Sequence, residues 1–173
     1  MRDAITTEKI LTRPVLATEV RRRQQGGARC VFTNGCFDLL HLGHIRYLQE
    51  ARALGDFLVL GLNDDASVRL LKGPTRPLIA ENARAEILAA LACIDYVTIF
   101  PERTAGALVD ALQPDIYVKG ADYAMSADGG NEPDLSKLPE AEHVLAYGGA
   151  LRFIAYLPGY STSALIEKIK HLP

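Results

Sequence analysis

The sequence predicts an α/β fold, a doubly wound parallel five-stranded sheet, and three observations lead there. After residue 29, five short apolar runs alternate with five helical patterns. The runs are apolar on both faces, as strands covered by helices on either side tend to be. Polar residues and glycines gather just past the runs, where open α/β sheets bind their ligands. A chain of 173 residues is long enough for one full core and short for two ordinary domains.

Residues 1–27 read as an N-terminal arm and short helix set before the main domain, which spans 28–173. The arm covers 1–13. The helix covers Pro14–Gln25, with Leu16 and Val20 at i, i+4 and Gly26-Gly27 as its stop. Strands are expected at Cys30–Thr33, Phe57–Leu62, Tyr96–Phe100, Ile116–Lys119 and Leu151–Ala155. Helices are expected at Leu42–Leu54, Asn82–Ala92, Thr104–Leu112, Lys137–Tyr147 and Thr162–His171. Gly55 and Gly148-Gly149 mark helix ends. The longest loop signal is Ala121–Pro133.

The formal charge of −2 gives no basic footprint for nucleic acid. Arg21-Arg22-Arg23 fits a solvated helix face. Cysteines at 30, 36 and 93 are odd in number and form no C-x-x-C pair, which fits reduced thiols in a cytosolic protein. No segment resembles a signal peptide or an apolar span of about 20 residues. A cytoplasmic protein without membrane or nucleic-acid partners is expected.

The most informative stretch is Phe32-Thr33-Asn34-Gly35-Cys36-Phe37-Asp38-Leu39-Leu40-His41-Leu42-Gly43-His44. An apolar strand ends in a polar turn that runs straight into two histidines. If a helix begins near Leu39 or Leu40, His41 and His44 lie one turn apart on one face. They then sit where free backbone N–H groups favour an anion, which makes a phosphate site. A zinc site using His41, His44 and Asp38 or Cys36 is the rival reading, but no dedicated third ligand is evident. Other strand ends carry Asn63-Asp64-Asp65, Lys119-Gly120-Ala121-Asp122 and Gly159-Tyr160-Ser161-Thr162-Ser163.

Residues Gly35 to His44 resemble the signature of the HxGH nucleotidyltransferases, whose fold is Rossmann-like. The segments 63–69, 71–77, 118–123 and 159–163 are similar, in order, to those of the D-glycero-D-manno-heptose 1-phosphate adenylyltransferases. The resemblance covers about residues 28–170 and is to the stand-alone transferase, without the sugar kinase domain often fused upstream. This chain departs from the family at Ala121, where a second glycine is usual. It departs again at Leu78-Ile79-Ala80, and in a longer loop over 124–140.

The resemblance implies transfer of AMP from ATP to a sugar 1-phosphate, with Mg²⁺ bound mainly through the ATP phosphates, in a homodimer. It implies that His41 and His44 hold the phosphates and stabilise the transition state. Gly43 would leave room for the nucleotide, and Thr33, Asn34, Gly35 and Phe37 would shape the turn around the triphosphate. Lys72, in a loop flanked by Gly73 and Pro74, would be a flexible catalytic cation. Lys119, Ser161, Thr162 and Ser163 would bind the nucleotide. Asp38, Arg76 and Asp122 would bind the sugar phosphate. Arg84 would serve structure, a phosphate or a surface ion pair.

Overall fold

A computed structural model describes residues 8–121, 134–155 and 157–172. All five strands are parallel: β1 (Cys30–Gly35), β2 (Phe57–Asn63), β3 (Tyr96–Phe100), β4 (Ile116–Gly120) and β5 (Ala150–Ile154). Their order across the sheet is β3-β2-β1-β4-β5. Val31 of β1 stands opposite Leu58 on one side and Ile116 on the other, so β1 is central. The helices are α1 (Arg13–Gln25), α2 (Leu42–Arg52), α3 (Asp65–Lys72), α4 (Glu81–Ala89), α5 (Gly106–Leu112), α6 (Glu140–Ala146) and α7 (Thr162–Lys170).

Alternation along each strand divides the core in two. Cys30, Phe32, Phe57 and Val59 face α1, α5 and α6, through Leu16, Val20, Leu108, Val109, Ala141 and Val144. Val31, Leu58, Leu60 and Leu62 face α2 and α4, through Leu48, Ala51, Ala85 and Leu88. Both faces of β2 are buried, as the run Phe-Leu-Val-Leu-Gly-Leu requires.

Three expectations are refined. The short helix expected before residue 28 packs into the main core, since Leu16 and Val20 of α1 are fully buried in it. Residues 9–11 are also fastened: Leu11 N donates to Val97 O, and Val97 N to Lys9 O, both at 2.9 Å. Lys9 Nζ reaches Ile94 O at 2.7 Å. The second change is α3, which was not expected. Asp64 caps it by accepting from Ser67 N at 2.7 Å, and Gly73 ends it at φ 97°. Eight residues are too few for helical periodicity to stand out. The expected helix over Lys137–Tyr147 resolves into a 3₁₀ turn, Leu135–Lys137, and then α6. Pro139 between them disfavours a helical Leu138. Among the described residues no helix is long and apolar enough to cross a membrane.

Candidate active site

The strand β1 leaves the sheet through a turn with two non-glycine residues in the left-handed region, Phe37 at φ 45° and Leu39 at φ 50°. Such conformations persist where the surroundings fix them, and here two charged groups do so. Arg84, fully buried, donates to Cys36 O at 2.6 Å, Asn63 O at 3.0 Å, Ile79 O at 2.8 Å and Asp65 Oδ1 at 2.7 Å. It is an internal staple, and the surface ion pair considered for it is corrected. Asp38 accepts from Arg76 Nε at 2.7 Å, Leu78 N at 2.8 Å and Ile79 N at 3.1 Å. Burial pushes the Asp38 carboxyl up, but those two amides and the guanidinium outweigh it and hold it below its ordinary value. Asp38, expected at the sugar phosphate, thus spends both oxygens on the 76–79 segment.

His41 is the N-cap residue of α2 and makes no side-chain cap, so the first N–H groups of the helix remain open. His44 lies one turn on. The two imidazoles stack with centroids 3.9 Å apart at 21°, and Phe37 tilts against His44 at 5.3 Å. Nδ1 of each ring is buried and has no hydrogen-bond partner among the described residues. Burial, and then His41 beside it, push His44 down to about 4, and burial lowers His41 as well. Both rings are therefore neutral at pH 7. A Cβ on Gly43 would lie 3.0 Å from His41 Nδ1 and Cε1 and 3.1 Å from Tyr160 Cβ. The space over Gly43 holds the His41 ring and Tyr160.

The second helix N-terminus in the cleft belongs to α7. Ser161 caps it, accepting from Ala164 N at 3.1 Å, and Thr162 Oγ1 donates to Asp38 O at 3.0 Å. Both N-termini open into one cleft of about 850 Å³ at the C-terminal edge of the sheet. Asn34, Gly35, Phe37, Lys72, Arg76, Lys119 and Ser161 to Ser163 also line it. Lys72 is the last residue of α3 and not part of a loop, so its backbone is fixed and only its side chain can swing. Arg76 uses Nε on Asp38 and leaves both Nη groups without a described partner. Lys119 is nearly buried, with Nζ 5.6 Å from the Tyr117 ring, while Tyr117 donates to Asn34 Oδ1 at 2.6 Å.

Thr33 is corrected. It is fully buried, its hydroxyl pairs with Tyr47 OH at 2.7 Å, and it does not line the cleft. Asp122 lies outside the described residues. Among those described, no three His, Cys, Asp or Glu side chains group to hold a metal. All three cysteines are free. The sequence reading missed a whole wall of the cleft: Arg103 and Thr104 after β3, and Lys137 to Glu140 entering α6. The signal was present, since residues past the C-terminal end of β3 fall under the same rule that drew attention to the other strand ends.

A parallel sheet whose central strand feeds a paired-histidine turn and an open helix N-terminus defines a Rossmann-like nucleotidyltransferase fold. The chain belongs to the cytidylyltransferase-like family, whose model matches residues 32–168. It is 56% identical over 151 residues to "Bifunctional protein HldE" of Syntrophotalea carbinolica, covering 87% of this chain and 28% of that one. It is 48% identical over 165 residues to the protein of the same name in Helicobacter pylori, covering 95% and 32%. The chain therefore spans about a third or less of the length of these relatives. Among solved structures it is similar to a lipopolysaccharide core biosynthesis protein from Thermoplasma volcanium, with TM-score 0.58 and 28% identity, covering 76% of this chain and 98% of that one.

Proposed function

We propose that this chain transfers AMP from ATP to D-glycero-D-manno-heptose 1-phosphate, giving ADP-heptose and pyrophosphate. The observation that carries the reaction type is the stacked His41–His44 pair at the uncapped N-terminus of α2, sharing one cleft with the Ser161-capped N-terminus of α7. Such an arrangement binds phosphates and stabilises charge that builds up on them. The sugar is read from the motif resemblance. The relatives named HldE and the lipopolysaccharide core biosynthesis protein support it.

A phosphate oxygen of the acceptor forms a bond to the α-phosphorus while the α–β bridging bond breaks. The electron pair leaves with pyrophosphate. A phosphate monoester is already a nucleophile at neutral pH, so no general base is required, and catalysis is positioning plus electrostatics. With Nδ1 of each ring shut away, Nε2 is the nitrogen left to face the cleft, and as N–H it donates to phosphate oxygens. The N–H groups at the start of α7 and the hydroxyls of Ser161 and Ser163 hold the β- and γ-phosphates. Lys72, Lys119 and the Nη groups of Arg76 supply positive charge. Mg²⁺ bound with the triphosphate would neutralise part of its charge, and with the Asp38 carboxylate committed elsewhere phosphates and water would hold it.

The test is pyrophosphate release with ATP and CTP against heptose 1-phosphate and glycerol 3-phosphate. Turnover with ATP and the heptose is expected. Activity with CTP alone would replace this reading with a cytidylyltransferase acting on glycerol 3-phosphate or another sugar or alcohol phosphate, which the family match also accommodates.

A further inference from the structure

The wall of the cleft that the triphosphate chemistry leaves unused is built around a buried carboxylate. Glu140 opens α6 and is 4% exposed. Its Oε1 accepts from Ala105 N at 2.8 Å, which ties the start of α6 to the turn after β3. Its Oε2 makes no hydrogen bond to any described residue, and the side chain forms part of the cleft wall. A carboxylate oxygen in such a place calls for a donor from whatever fills the cleft.

The wall around Glu140 is fixed and carries two cations, Arg103 and Lys137, the latter 3.4 Å from Asp134 Oδ2. The turn after β3 is held from two sides: Glu102 pairs with Arg13 Nη2 at 2.6 Å, and its carbonyl accepts from Asn63 Nδ2 at 3.2 Å. Arg103 and Thr104 therefore stand on fixed backbone, and Lys137 faces the same cleft from the 3₁₀ turn. Direction matters as well. In-line displacement places the attacking group opposite the leaving pyrophosphate. The α7 N-terminus follows β5, at one edge of the sheet, and the Arg103 turn follows β3, at the other. Pyrophosphate held on α7 leaves the β3 side for the acceptor.

We propose that Glu140 is the specificity residue of the acceptor site, accepting hydrogen bonds from the hydroxyls of a polyhydroxylated sugar phosphate whose phosphate meets Arg103 and Lys137. This rests on the transferase reading above. A carboxylate there selects for a ring rich in hydroxyl donors and against acceptors that carry only a phosphate. A ligand lacking the hydroxyls leaves that cleft-facing oxygen to water and forgoes the charge-assisted hydrogen bonds.

The experiment is calorimetry of the full chain with the α,β-methylene analogue of ATP, heptose 1-phosphate and methyl phosphate. In Glu140→Gln, heptose 1-phosphate affinity is expected to fall about 10- to 100-fold. Affinity for the ATP analogue and for methyl phosphate should stay within about twofold of wild type. Arg103→Ala, at an exposed position, should weaken both phosphate acceptors and spare the ATP analogue. Wild-type affinity for the heptose in Glu140→Gln, or equal losses for heptose and ATP analogue, overturns the proposal. If Glu140→Gln loses its fold through the Ala105 contact, Arg103→Ala decides, and unchanged acceptor affinity in it overturns the site. Binding without turnover in wild type would sink the transferase reading alone. The absence of any heptose 1-phosphate binding in wild type would sink the acceptor site.

Discussion

Thr162 Oγ1 donates a 3.0 Å hydrogen bond to the carbonyl of Asp38, joining the N-terminal turn of α7 to the histidine turn 124 residues earlier. The carboxylate of that same Asp38 holds the 76–79 segment. Three cleft-lining segments thus meet at one residue. Replacing Thr162 with valine keeps the shape and removes the donor. Stability should fall by about 1 kcal/mol, measured by urea unfolding. The efficiency for ATP should fall about tenfold as the two phosphate-binding N-termini lose register, measured by initial rates.

Asp38→Asn tests the other half of this junction. Asparagine offers one acceptor oxygen where two now serve three donors, and it leaves the Arg76 guanidinium beside a neutral group. Loss of a buried, paired charge costs about 3 kcal/mol. Urea midpoints should show that loss. A carboxylate contacting only substrate would leave them unchanged.

The histidine pair makes a pH-dependent contribution whose sign follows from burial. His44 is held down to about 4, below its ordinary value of 6.5. Below pH 6.5 the unfolded chain takes up a proton that folded His44 refuses. Stability is therefore lost as pH falls from 6.5 toward 4, with a slope of up to about 1.4 kcal/mol per pH unit from this group. Below about 4 both states are protonated and the slope from His44 ends. His44→Asn should flatten this part of the stability profile. An unchanged slope would remove His44 as its source.

His44→Ala probes the same ring in turnover. A donor aimed at the reacting phosphate should cost about 100-fold or more in kcat when removed, with ATP affinity changing only a few-fold. Full turnover in the mutant would exclude the ring from the transition state.

Much of this was legible in the sequence, for physical reasons that differ by element. Strands β2 and β3 announce themselves because a run apolar on both faces admits few other readings. The histidine turn was legible because strand, turn chemistry and helix start are contiguous. The α3 helix was not, because it has only eight residues and the Asp64 and Gly73 that flank it looked like loop residues. Arg84 and Asp38 show the deeper limit. Their chemistry suggested ligands, yet most of their hydrogen bonds go to backbone groups at 36, 63, 78 and 79, which only the fold brings together. Glu140 escaped notice for the same reason, since its partner Ala105 is 35 residues away and reached through a different strand.

Gly43→Ala separates stability from activity most cleanly. The residue is the second of α2, where alanine is a better helix former than glycine by up to about 1 kcal/mol. The added methyl would stand 3.0 Å from two atoms of the His41 ring and 3.1 Å from Tyr160 Cβ. Contacts that short require a neighbour to shift, and the imidazole, with no hydrogen bond to hold its Nδ1, is the one free to move. Thermal unfolding should show a midpoint equal to or above wild type. Displacing a phosphate donor by a fraction of an ångström or more should lower kcat about 100-fold, while ATP binding by calorimetry changes far less. A mutant that is both stable and fully active would mean that the His41 ring position seen over Gly43 is not the one used in turnover.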